Sequence, residues 1–195
     1  GDRVAAYMPN TIETVEAFIA TTSLGGIWSS CSPDFGSKGV IERFSQINPK
    51  VLFITDQYFY NGKKIDILNR LPEILKLIPS IKSVVISNYP GKKFIKNKYR
   101  FKKINLFKWN ELMQTNAEKI DFKRFDFETE LAILYSSGTT GKPKCICHRS
   151  GGVLIQHMKE HQLHCNIKEN DNVFYFTTCG WMMWNWLVSS LASKA

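Results

Sequence analysis

Short apolar runs alternate with segments of helical period through the first half of the chain, and this alternation narrows the fold more than any other feature. Arg3–Met8 is an apolar run that Pro9-Asn10-Thr11 breaks. Thr11–Leu24 then carries Ile12, Val15 and Ile19 at near-helical spacing. Glu13 and Glu16 sit in its first turns, where the helix dipole favours acidic groups. Gly25-Gly26 ends that helix and Ile27–Cys31 reads as a second strand. Ser37 is placed to cap a helix running to Ile47, with Val40, Ile41 and Phe44 on one face, and Asn48-Pro49 stops it. Val51–Thr55 is a third strand, a helix is predicted over Lys63–Leu77, and Ser83–Ser87 is a further strand. Strand–helix alternation implies right-handed crossovers into a parallel sheet. The expected fold class is therefore α/β, a partly parallel sheet with flanking helices. Tyr89–Arg124 has no clear period, and no internal repeat is visible.

Composition excludes several classes of chain. A hydrophobic fraction of 44% with 13% aromatic residues is that of a globular protein rather than a disordered one. No apolar run reaches the roughly 18 residues that a membrane span needs. The opening Gly1-Asp2-Arg3-Val4 has neither Met nor a signal-peptide pattern, so the chain is expected to be an internal piece of something longer. Five cysteines, an odd number without a C-x-x-C pair, favour free thiols in a reducing compartment, the cytosol. The net charge of +9 is uneven: residues 63–124 hold 16 Lys/Arg against 5 Asp/Glu, leaving −2 for the remainder. Its densest run, Lys92–Lys103, interleaves basic and aromatic residues as single-strand binders do. No nucleic-acid-binding module accompanies it, so it reads as a solvated lysine-rich stretch that could steer an anionic cofactor.

Chemistry concentrates in the run Ser136-Ser137-Gly138-Thr139-Thr140-Gly141-Lys142-Pro143-Lys144, which follows the apolar strand Leu131–Tyr135. A strand that breaks into a Gly/Ser/Thr loop presents many backbone N–H groups and hydroxyls at one place, which is what a polyphosphate requires. The glycines allow close backbone approach, and Lys144 adds a mobile charge. The spacing is not that of a Walker loop, and no G-x-G-x-x-G occurs. Cys145–His148 reads as the return strand of a hairpin-like pair, with Cys145 and Cys147 packing as small apolar groups.

Gly151–Cys165 reads as a helix, Val173–Thr177 as a strand and Met182–Leu191 as an apolar helix. His157-Met158-Lys159-Glu160-His161 spells H-x-x-E-H, with His164 and Cys165 following. So short a string arises readily by chance on a polar helix, so these residues read as a solvated face with no metal. In Cys179-Gly180-Trp181-Met182-Met183-Trp184-Asn185-Trp186, three tryptophans fall within six residues. A packed core helix is one reading. A small apolar pocket at the end of the sheet is the other.

The nine-residue loop resembles the phosphate-binding signature of the adenylate-forming enzymes. Together with Phe176–Trp186, Gly1–Pro9 and Trp28–Phe53 it looks like the acetoacetate–CoA ligase branch of the acyl-CoA synthetases. What the resemblance implies is ligation through an acyl-adenylate, with acetoacetate, ATP and coenzyme A as small-molecule substrates and Mg2+ as cofactor. It implies that Ser136, Ser137, Gly138, Thr139, Thr140, Gly141 and Lys144 bind the ATP phosphates. It assigns Gly180, Trp181 and Trp184 to the acid pocket and Lys63 to coenzyme A, where lysine instead of arginine loses bidentate contact. Residues 1–195 would then be an incomplete N-terminal AMP-binding domain. The adenine and ribose motifs, the magnesium-binding glutamate and the C-terminal lid with its catalytic lysine have no counterpart here. The isolated chain is expected to be inactive. A ligase for acetate or propionate, and a non-catalytic fragment that touches ATP phosphates, are the alternatives.

Overall fold

In the computed structural model, which describes residues 1–92, 100–114, 119–136 and 141–195, strand β1 (Arg3–Tyr7) lies inside a seven-stranded sheet. It pairs in parallel with β2 (Ile27–Cys31) on one edge and β3 (Val51–Thr55) on the other. β3 leads outward to β6 (Ser83–Ser87) and β7 (Asn105–Lys108), also parallel. Beyond β2 come β8 (Glu130–Ser136), parallel to it, and β9 (Lys144–Arg149), antiparallel to β8. The α/β reading with a mostly parallel sheet holds. β4 (Gln57–Tyr60) and β5 (Lys63–Asp66) make a separate antiparallel hairpin.

Alternate side chains along each strand enter two cores. Ala5, Tyr7, Leu52, Ile54, Val84 and Ile86 pack beneath α2 (Ser37–Ile47) and α3 (Leu71–Leu77), which contribute Val40, Phe44, Leu71 and Ile74. Ala6, Met8, Trp28 and Ala132 face the opposite way, under α1 (Ile12–Ser23) and α6 (Met182–Val188). Phe18 stands edge-on to both Trp28 and Trp184, at 5.7 and 5.6 Å. α1 and α2 thus cover different faces, and the chain changes direction across the sheet at β1/β2. In open α/β sheets the carboxyl ends of strands at such a point form the ligand crevice.

Four differences from the sequence reading have physical causes. The helix predicted from Lys63 is instead the β4–β5 hairpin followed by a 3₁₀ turn, Leu68–Arg70, and the short α3. Asn61 and Gly62 take φ of 47° and 71°, the left-handed pair that a two-residue hairpin needs. Pro72 lies in the first turn of α3, the one part of a helix that tolerates a missing N–H, so the helix begins there. Ser37 does not cap α2: Gly36 holds the cap position and no side-chain bond is made. Residues 173–177 join no strand ladder among the described residues, because extended propensity without a partner does not make a sheet. Finally, Tyr89–Arg124 holds β7 and the one-turn α4 (Trp109–Leu112), both too short to show a period. The helix read over Gly151–Cys165 is α5 (Ser150–Lys159), which passes into a π-helical turn, Glu160–His164.

Trp28 is fully buried, touches Phe18 and Phe53, and donates Nε1–H to Ser30 Oγ at 3.0 Å. Trp28→Ala is expected to lower the unfolding free energy by about 3–5 kcal/mol, measured by urea denaturation.

Candidate functional site

Ser136 and Lys144, the Gly180–Trp181 segment and the hairpin bearing Lys63 lie towards the carboxyl edge of the parallel strands, whereas Trp184 lies in the core. The β8–β9 register sets Ser136 opposite Lys144, so both ends of the Gly/Ser/Thr run are held by one ladder. Ser136 is half-buried, Lys144 is exposed, and Gly141 takes a φ of 114° that side chains rarely adopt. Ser137, Gly138, Thr139 and Thr140 lie outside the described residues, as does most of the Lys92–Lys103 run.

The loop is tied to its surroundings from two sides. Gln46 Nε2 on α2 donates to the carbonyl of Pro143 at 2.9 Å. Beneath it, Ser29 Oγ lies 3.0 Å from the Tyr135 hydroxyl. Burial pushes the Tyr135 phenol up, so it stays neutral. The Arg43 guanidinium lies over the rings of Phe35 and Tyr135, 4.4 and 5.7 Å from their centroids. Sequence reasoning did not single out Ser29, Arg43 or Gln46. The available signal was the spacing of Arg43 and Gln46, three apart on one face of α2.

The segment around Gly180 crosses the carboxyl ends of β1 and β2. The Cys179 thiol donates to Met8 O at 2.9 Å, and Ser30 Oγ donates to Cys179 O at 2.6 Å. A Cβ at Gly180 would stand 2.9 Å from Phe35 Cε2 and 3.3 Å from Ser32 N, so glycine is what permits this approach. Burial pushes the Cys179 thiol up to about 12, which makes it a packing group rather than a nucleophile. Trp181 is 56% exposed and lines a cavity of about 300 Å³ with Tyr175, Phe176, Thr178 and Met183. Trp184 does not line that cavity. Its fully buried ring faces α1 and its Nε1–H donates to Asn10 Oδ1 at 2.8 Å.

Lys63 is exposed on β5, paired with Tyr60 across the turn that follows β3 and β4. The same hairpin stacks Tyr58 on Tyr60 at 6.4 Å, and Lys92 Nζ lies 4.8 Å from the Phe59 ring.

Two side-chain readings need correction. His157 and His161 are not a solvated face: they are 5% and 0% exposed, because α5 turns them toward α6 and the 3₁₀ turn Ser189–Ser193. Cys145 and Cys147 are exposed rather than packed, since β9 is an edge strand. Among the described residues no group of three or more His, Cys, Asp or Glu could hold a metal ion. None of the described helices is long and apolar enough to cross a membrane.

A family model described as AMP-binding enzyme matches residues 1–193. The chain belongs to this family. It is 47% identical to the acetoacetyl-CoA synthetase of Gallus gallus, over all of this chain and 30% of that protein. It is 48% identical to the acetoacetyl-coenzyme A synthetase of Rhizobium meliloti (strain 1021), over all of this chain and 29% of that protein. The solved acetoacetyl-CoA synthetase from Streptomyces lividans superposes with a TM-score of 0.89 at 39% identity, covering the whole chain and 29% of that structure. The chain thus spans about 30% of the length of these relatives.

Two predictions follow from this geometry. Gly180→Ala is expected to destabilise by about 1–3 kcal/mol in denaturant melts, since the neighbour at 3.3 Å is backbone and cannot swing away. Burial, with the nearby His161 and His148, drives the His157 imidazole down to about 4 from 6.5. The unfolded chain therefore takes up that proton first on acidification. Stability is full above pH 6.5 and falls as pH drops towards 4, by about 3 kcal/mol for a shift of this size. In urea melts, His157→Gln should flatten that part of the pH profile. An unchanged slope would contradict a neutral buried imidazole.

Proposed function

We propose that this chain is the phosphate-gripping part of an ATP-dependent acid–CoA ligase whose acid is acetoacetate. The observation that carries the reading is that the Ser136–Lys144 pair closing the loop and the Gly180–Trp181 segment over β1 and β2 both lie towards the carboxyl ends of the parallel strands. Ser136, Ser137, Gly138, Thr139, Thr140, Gly141 and Lys144 hold the β- and γ-phosphates of ATP. They stabilise charge on the departing pyrophosphate while the acid carboxylate attacks the α-phosphorus. Gly180 and Trp181 border the acid, with Trp184 backing them from the core. Lys63 meets a phosphate of coenzyme A as a point charge. Mg2+ would be held by the ATP phosphates and would offset their charge, since no group of three or more His, Cys, Asp or Glu among the described residues is placed to hold it. Acetoacetate as the acid rests on the names of the relatives. The free thiols favour work in the cytosol.

The decisive measurement is acetoacetate-dependent release of pyrophosphate from ATP. A form of relative length should turn over, with acetoacetate preferred to acetate and propionate, while the 195-residue chain should not. In the long form Lys144→Ala is expected to lower the adenylation rate about 10- to 100-fold without changing Tm, because the side chain is exposed at the first residue of β9. Silence of the long form towards all three acids would sink the ligase reading.

A further inference from the structure

A second cavity, of about 380 Å³, opens between β9, α5 and α6, walled in part by His148, Gly152, Val153, His157, Met182 and Trp186. It lies towards the far end of β9 from Lys144, with His148 and Arg149 closing the strand. The reaction proposed above makes no use of it.

The hydrogen bonds around His157 fix which of its nitrogens carries the proton. Ser189 Oγ has one proton and gives it to Trp186 O at 2.7 Å. Toward His157 Nδ1, 2.8 Å away, Ser189 Oγ is therefore the acceptor, and Nδ1 bears the hydrogen. Nε2 is left as a lone pair on a ring that is 5% exposed and lines the cavity, with no hydrogen-bond partner among the described residues.

Of the other polar groups at the cavity, Trp186 Nε1 is a buried donor with no hydrogen-bond partner among the described residues, whereas the side chains of Gln156, Glu160 and Arg149 are engaged. Gln156 Nε2 donates to Glu160 Oε1 at 2.6 Å, and Lys159 Nζ lies 3.2 Å from Gln156 Oε1 and 4.0 Å from Glu160 Oε1. Arg149 is paired with Glu128. Burial holds both cavity histidines, His148 and His157, below their ordinary value, so both rings are neutral at pH 7. An open acceptor, His157 Nε2, and an open donor, Trp186 Nε1, on largely apolar walls suit a group that both donates and accepts a hydrogen bond, and a hydroxyl group meets that description.

We infer that this cavity is a binding subsite for a compact, neutral organic molecule bearing a hydroxyl group. The hydroxyl donates to His157 Nε2 while the carbon body rests on Val153, Met182 and Trp186. The inference stands independently of the ligase reading and is tested without turnover.

The test uses the 195-residue chain with ¹⁵N-labelled imidazole and indole groups, titrated with 2-butanol and with butanone. The two probes share a skeleton and differ in offering a donor or only an acceptor. 2-Butanol should move the His157 Nε2 and Trp186 Nε1 resonances, with an affinity about tenfold above that of butanone, the worth of one hydrogen bond. His157→Phe removes the lone pair and should equalise the two probes. Gly152→Leu fills the space, since a Cβ there meets nothing within 4 Å, and should abolish the response in a chain that remains folded by circular dichroism. Equal responses to the two probes in the native chain, no shift at His157, or a response surviving in folded Gly152→Leu would each overturn the proposal.

Discussion

Two-sided pairing of β1 is the constraint on which the rest of the structure depends. Its register sets Tyr7 beside Cys31 of β2 and Ile54 of β3, so the carboxyl ends of all three strands arrive at one level. Ala5 and Ala6 are fully buried on opposite faces, and their small side chains let helical layers approach from both sides. Each ladder bond made here is shielded from water by those layers. The strand is therefore the least free to shift, and it passes its register outward to β6 and to β8. The edge at which the candidate site is assembled is a consequence of this alignment.

Phe35 is where the pieces of that edge meet. Arg70, at the end of the 3₁₀ turn before α3, donates to the carbonyls of Phe35 and Pro33, at 2.9 and 3.1 Å, and to the Tyr7 hydroxyl. Burial pushes the Tyr7 phenol up to about 12, so it remains a neutral hydroxyl that donates to the Phe35 carbonyl. Arg43 covers the Phe35 ring and also reaches Tyr135 on β8, while Gly180 rests against that ring's edge. One aromatic side chain thus joins the α2–α3 layer, the strand leading into the Gly/Ser/Thr loop and the segment bordering the cavity lined by Trp181. Two guanidinium groups on a loop of this kind are worth more as geometric clamps than as charges, since each has its donors or its face already engaged.

Much of the fold was legible because its signals are local. Ile27–Cys31, Ser37–Ile47, Val51–Thr55 and Ser83–Ser87 carry the bounds expected from hydrophobic period and flanking breakers. Asn61-Gly62 and Pro72 were equally local, but the charged stretch between them imitated a helical period and outweighed the turn and the proline. Other features were out of reach for a different reason. The burial of His157 and His161 depends on where α6 and the following 3₁₀ turn settle against α5, through His157–Ser189 and His161–Trp186 contacts that lie far apart along the chain. Whether 173–177 joins a sheet depends on a neighbouring strand, which no property of the segment itself reveals.

The antiparallel turn of β9 would suit a Gly/Ser/Thr loop to the role proposed for it. In a strand–loop–helix connection, such a loop is fixed at its strand end and its other end follows the helix. Here both ends belong to one ladder, with Ser136 and Lys144 as the closing pair, and Gln46 fastens Pro143 to α2 from outside the sheet. The run is thereby anchored at both of its ends, and its glycine and small hydroxyl residues bring no bulky side chains that would keep a ligand away. An edge strand, elsewhere a liability for aggregation, is used here to return the chain and set a lysine beside the start of the loop.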